Sequence, residues 1–484
     1  MKPTRLWRFA GPLSLPVAVS LLVFSCAEEV VEEEFEPRES HGNYREALTE
    51  LELADSEMGA RWIESARRAL EAPAELEPPA SEVIYFDPAE PEAVGYRFPT
   101  TRGRRVEIEI EAEHERYFAD VFRLPRDEDE EAEHVASRPE GGSGVEFEAR
   151  SNDYYVLRVQ PELLRGGRFE ISIRTGASLA FPVEGTGPGD IMSFFGSGRD
   201  GGSREHHGVD IFAPRGTPVL AASESTVTRV GERDRGGNVI VLRDEERGIS
   251  LYYAHLEEQL TEEGREVVPG ETIGTVGNTG NARATPPHLH IGIYQGGWRR
   301  PVDPWPYFVG PPATDPPPIA HEERLGEWRA AGDDLLAAGS LPGVAAAEPE
   351  HRNRNPYLRG AGDTFAGAET DLADDPPPEP PRRFHVIEPE APVRIVGAAG
   401  DLLRIRTVAG GEGFVEPETL SEDQAAVELE EPALLRDPRT GDAFGELEAG
   451  EQVTVVAETD RGRLALLPSG RAALLDPMPR SEEG

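Results

Sequence analysis

The chain has 484 residues, 38% of them hydrophobic, with 51 glycines and 44 prolines. That composition excludes one large compact core and favours several small domains joined by polar linkers. Ninety-one acidic residues against 49 basic ones give a formal net charge of −42, which excludes nucleic acid as a partner, because phosphate binding needs clustered cations.

Lys2, Arg5 and Arg8 precede an apolar run, "LSLPVAVSLLVF" (13–24), too short to span a bilayer stably. The run ends in "VFSC" at Cys26, the single cysteine, so no internal disulfide can form. This stretch resembles a bacterial lipobox. The resemblance implies a signal peptide over 1–25, a lipid on Cys26 and an outer-membrane lipoprotein facing the periplasm. Cleavage at a nearby site, with Cys26 incidental, is the alternative. An anchor of two or three acyl chains holds where one chain would not. Residues 26–80 read as a solvated acidic tether ("EEVVEEEFEPRES") followed by a helical segment over 43–72, marked by Leu48, Leu51, Trp62 and Leu70 and ended by the prolines of "PAELEPPA".

Over 81–176 the apolar period changes to two. "RRVEIEIEAE", "YYVLRVQ" and "GRFEISIRT" alternate apolar and polar residues between turn signals, which predicts an antiparallel β-sandwich. It loosely resembles the pre-peptidase C-terminal (PPC) β-domains that accompany secreted proteases; a generic β spacer is an equal reading. Residues 310–383 are proline-rich and read as a linker with one short helix around 322–338. Residues 384–478 contain two weakly similar units that resemble bacterial SH3-like barrels. The Gly-Trp usual near the end of such modules is Gly-Phe in the first and Ala-Leu in the second. The fold class expected is mainly β and multidomain.

The segment 178–309 carries the chemistry. Five of the eleven histidines lie between 206 and 290, and imidazole is the commonest protein metal ligand. Read as a strand, "REHHGVDIFAP" places His206, Gly208 and Asp210 on one face and Val209 and Ile211 on the other. "HLHIGIY" likewise places His288, His290, Gly292 and Tyr294 opposite Leu289, Ile291 and Ile293. "SLYYAH" groups Leu251, Tyr253 and His255. His207 has the wrong parity for the site face and reads as structural. Two imidazoles and a carboxylate suit zinc and leave a fourth position open, as in catalytic sites. Further histidines nearby can move a proton or stabilise an oxyanion. Spacing alone leaves open which histidine of the HxH pair is a ligand.

"HHGVDIFAPRGTPVLAASESTVTRV", "GGNVIVL", "LYYAHL", "VVPGETIGTVGNTG" and "PPHLHIGIY", in this order, closely resemble the M23 zinc metallopeptidases, the LytM and lysostaphin-like group. The resemblance implies a compact antiparallel β-structure with a groove, and cleavage of peptide cross-links in peptidoglycan. It implies zinc ligands at His206, Asp210 and His290, and catalytic roles for His255 and His288. Some members place a tyrosine near the groove; position alone selects neither Tyr252 nor Tyr253. The expectation is a zinc endopeptidase whose partners are peptidoglycan, the membrane through Cys26, and other cell-wall enzymes. The alternative is a non-catalytic, wall-binding regulator of a separate amidase.

Overall fold

A computed structural model describes residues 40–125, 132–199, 202–296, 298, 300–311, 315–332, 335–339, 384–388 and 391–477, apart from 409, 423, 439, 460, 461, 469 and 470. The leader, the acidic tether as far as 39, and Cys26 lie outside the described residues. The architecture is mainly β, in several sheets with separate cores.

The helical segment is two helices, His41–Glu50 and Glu57–Glu71. Ser40 and Ser56 cap them, each accepting a backbone N–H with its hydroxyl. Trp62 is buried, and its indole donates to the Pro161 carbonyl at 2.8 Å, which ties the second helix to the sheet behind it.

Two sheets face each other over a shared core. One has the strand order 74–75, 94–100, 153–161, 117–123, 133–137; the other includes 80–86, 167–177, 104–112 and 144–148. The alternation read in "RRVEIEIEAE" is the reason: Val106, Ile108 and Ile110 are buried between the sheets and Glu109 is exposed. The second sheet does not stop at this sandwich. Its strand Ala80–Phe86 pairs with Pro392–Ala399, with Val83 opposite Ala398 and Ile84 opposite Gly397, so a carboxyl-terminal unit extends it.

That joint revises two sequence expectations. Among the described residues no α-helix forms around 322–338: a 3-10 turn at Glu322–Arg324 is followed by strands Trp328–Ala330 and Leu335–Ala338. The first of these pairs with Pro392–Ala399, the second with Phe384–Ile387 and Glu412–Val415. The unit expected to begin at 384 therefore draws two strands from the expected linker. Their apolar residues satisfy either period over so short a run, and tertiary pairing decides. A further six-stranded sheet covers 425–477.

At the joint, Arg404 binds the buried Glu82 through two bonds of 2.7 and 2.9 Å, and Glu412 at 3.0 Å. Burial pushes the Glu82 carboxyl up against the pull of Arg404. Removing one partner of such a pair strands the other's charge in the interior. Arg404→Ala should therefore cost about 3–5 kcal/mol, seen in calorimetry as earlier melting of this part of the molecule. An unchanged thermogram would refute a structural role for the pair.

An eight-stranded sheet forms the 178–309 region. Its strands are β1 (Ile191–Ser193), β2 (Val209–Phe212), β3 (Ser225–Arg233), β4 (Gly237–Asp244), β5 (Ile249–Leu256), β6 (Glu266–Val267), β7 (His288–Gln295) and β8 (Arg300–Val302). The order is β1-β2-β7-β5-β4-β3-β6, antiparallel throughout, with β8 on the end of β7. Val209, Ile211, Leu251, Tyr253, Leu289, Ile291 and Ile293 all enter one core. At roughly 1.5–3 kcal/mol per buried aliphatic side chain, Leu289, Ile291 and Ile293 alone hold β7 firmly. Its opposite face is thereby free to carry polar imidazoles.

Candidate metal centre

The centre begins with one register pair. Antiparallel pairing of β2 and β7 puts Asp210 directly opposite His290, and Phe212 opposite His288. Neighbouring pairs alternate faces, so a single register sends the apolar residues inward and the polar pair outward. His206 arrives differently from the expected continuous strand. Arg204–Glu205 pair with Gly198–Arg199 in a separate two-stranded ribbon, and β2 starts only at Val209. His206 hangs from the connection between them. Gly208 permits that connection: a Cβ there would lie 2.5 Å from the Ile291 carbonyl oxygen and 2.8 Å from His290 Cε1.

Among the described residues, His206, Asp210 and His290 bring one ligand atom each within 4.8 Å of the others. His206 Nε2 lies 2.9 Å from His290 Nδ1, and each nitrogen lies 3.0 Å from Asp210 Oδ1. Ligands at about 2.0–2.1 Å in a tetrahedral zinc site are roughly 3.3 Å apart. The three donors thus need to spread by only a few tenths of an ångström. Their chemistry also fits: two imidazoles and one carboxylate leave a position open. Burial alone would raise the Asp210 carboxyl, but hydrogen bonds from His206 and His290, with their charges, hold it far below the usual carboxylate range. Burial pushes the His290 imidazole down, against the pull of Asp210.

Outer contacts orient these candidate ligands. The Phe194 carbonyl lies 2.9 Å from His206 Nδ1. A carbonyl only accepts, so Nδ1 carries a proton; Nε2, which faces Asp210, is the atom a metal would take in place of its proton. Arg199 donates to Asp210 Oδ2 and to Ser193 Oγ, both at 2.6 Å. Sequence reasoning missed Arg199 and Ser193. Both sit in the glycine-rich "SFFGSGRDGG", where no period assigns a face.

His255 and His288 form a second pair, with ring centroids 5.0 Å apart and the His255 ring 6.0 Å from that of His290. Their Nδ1 atoms lie 2.9 Å from the carbonyls of Thr279 and Pro286. Both rings are therefore held in the tautomer that leaves Nε2 as an acceptor. Burial, followed by the charges of His290 and His288, pushes His255 down to about 4. The grouping of Leu251, Tyr253 and His255 does not hold. Leu251 and Tyr253 enter the core, whereas His255 takes φ 63°, a left-handed conformation costly for a residue with a Cβ. That twist brings the imidazole to the histidine cluster.

The same parity separates the two tyrosines. Tyr253 is buried, its hydroxyl accepting from the Ala222 N–H at 3.0 Å. Tyr252 lies on the site side, its ring 6.0 Å from that of His290. With Tyr294 and the 53% exposed Trp298 it builds an aromatic wall beside the candidate metal ligands. His207 is exposed, its ring 6.4 Å from that of Phe195, and joins neither histidine group.

The sheet thus carries two neighbouring histidine groups, one of them with the donors of a metal site. Residues 204–304 match the family model for Peptidase family M23. The chain is 40% identical over 87 residues to the peptidoglycan DD-endopeptidase ShyC of Vibrio cholerae, covering 18% of this chain and 19% of that one. It is 36% identical over 139 residues to the L-Ala--D-Glu endopeptidase of Bacillus subtilis, covering 27% and 42%. It is 41% identical over 95 residues to the uncharacterized lipoprotein YgeR of Escherichia coli, covering 19% and 35%. The chain thus spans less than half the length of each of these relatives.

Proposed function

We propose that this protein is a zinc-dependent endopeptidase that cleaves stem peptides or peptide cross-links of bacterial peptidoglycan. The observation that carries the reading is the triangle of His206 Nε2, Asp210 Oδ1 and His290 Nδ1, with two further imidazoles held in one tautomer beside it. His206, Asp210 and His290 would hold zinc, which supplies Lewis acidity toward a peptide carbonyl and lowers the pKa of a bound water. His255 and His288 keep Nε2 as an acceptor beside the candidate ligands. One accepts the proton of the attacking water and passes it to the leaving amine. The other, when protonated, donates to the carbonyl oxygen as negative charge develops there. The name of the ShyC relative, a peptidoglycan DD-endopeptidase, supports peptidoglycan peptides as the substrate class, and that of the Bacillus subtilis relative, an L-Ala--D-Glu endopeptidase, supports cleavage of a peptide bond.

Mass analysis of digested sacculi tests this reading. The expected products are muropeptides cut within the peptide, with glycan bonds intact. Chelator should stop their release and added zinc restore it. Release of glycan fragments alone would sink the proposal. Failure to bind metal, combined with stimulation of a separate amidase, would favour the regulator.

The proposed location is the cell envelope, with the protein anchored through a lipid on Cys26. The lipobox-like leader and the similarity to a protein named a lipoprotein support it. Cys26→Ala should move the protein from the membrane fraction to the soluble fraction and abolish labelling by a fatty acid. Unchanged fractionation and labelling would count against the anchor.

A further inference from the structure

We infer that Arg199 is a positioning residue that restricts Asp210 to binding metal through one oxygen. The inference rests on the zinc reading of the centre.

Arg199 stands on the ribbon Gly198–Arg199/Arg204–Glu205, whose second strand runs directly into His206. A single nitrogen, Nη2, makes two bonds of 2.6 Å, one to Asp210 Oδ2 and one to Ser193 Oγ. Ser193 lies opposite Asp210 across β1 and β2, and its Oγ is 3.3 Å from His206 Nδ1. One guanidinium therefore touches the carboxylate of one metal ligand and, through one hydroxyl, the outer nitrogen of another. The arginine side chain is 30% exposed and the carboxylate it holds is 10% exposed. The contact closes the rim of the centre.

An aspartate with both oxygens available can chelate a metal with both, which raises the coordination number and fills space. Here Oδ2 is engaged by a charge-assisted bond, while Oδ1 faces His206 and His290. The bond also fixes the carboxylate's orientation, so Asp210 meets a metal with Oδ1 already turned toward His206 and His290. Both effects keep the ligand set at three protein atoms and preserve the open position that hydrolysis uses. Because both bonds come from one nitrogen, an ammonium at the end of a lysine can make them too. This differs from sites where a bidentate guanidinium fork is required.

The test uses the full chain with cobalt(II) as the probe. Its visible absorption is strong when four-coordinate and weaker at higher coordination. Wild type should show the strong spectrum. Arg199→Ala should weaken it and lower metal affinity, measured against a chromogenic chelator, by about 10–100-fold. Arg199→Lys should recover both. Melting of the metal-free variants checks folding, and Arg199→Gln replaces the alanine variant if that one does not fold. Equal spectra and affinities in wild type and the neutral variants would overturn the role of Arg199 and leave the metal centre standing. No cobalt or zinc binding by wild type would overturn both.

Discussion

His290→Ala should abolish metal binding and peptidoglycan hydrolysis together, whereas His288→Ala should abolish hydrolysis and keep the metal. The two residues share one face of β7, one residue apart, yet their surroundings differ. His290 Nδ1 lies within 3.0 Å of both other candidate ligand atoms. His288 Nδ1 is engaged by the Pro286 carbonyl, and its ring stacks on Phe212 with centroids 5.0 Å apart. Deleting His290 removes a donor outright, which should weaken zinc binding by more than the roughly 10–100-fold typical of losing an outer partner. Deleting His288 removes a proton-transfer group, worth roughly 10²–10⁴-fold in turnover. Zinc analysis and muropeptide release on the same preparations separate the two effects. Equal zinc loss in both variants would undo this division of labour.

Gly208→Ala should be nearly as damaging, although the residue has no functional group. The added Cβ would sit 2.5 Å from the Ile291 carbonyl oxygen and 2.8 Å from His290 Cε1, closer than such atoms approach. Neither neighbour can give way cheaply. Ile291 is held by pairing on both sides, to Val209 and to Tyr253, and His290 would have to turn away from Asp210. Overpacking of this kind costs about 1–3 kcal/mol, and here the displaced atom is a candidate ligand. The expected result is a lower melting temperature and a loss of zinc affinity approaching that of His290→Ala. A variant with normal zinc binding would show that the close approach is not needed.

The legible parts of the centre were those set by local alternation. In "HLHIGIY" the apolar residues enter the core and the histidines face away, because a period of two needs no distant partner. The ligand division within HxH came only through family resemblance, since it depends on which neighbour each imidazole meets. His255 was misplaced because its positive φ breaks the alternation one residue before the strand ends. Arg199 lies in a turn-rich stretch without a period, so nothing in its surroundings announced a contact with Asp210. The joint between Val83–Ile84 and Gly397–Ala398 spans more than three hundred residues of chain. No local pattern encodes such a pairing, and the proline-rich composition of 310–383 concealed the two strands that complete it.

The central claim is that His206, Asp210 and His290 form a zinc site on which hydrolysis depends. Its most direct measurement is a zinc titration of chelator-stripped full-length protein, with muropeptide release from sacculi read at each addition. The account predicts no release without metal and a rise to a plateau at one zinc per chain. Release by the stripped protein, or none from the zinc-saturated protein, would contradict it.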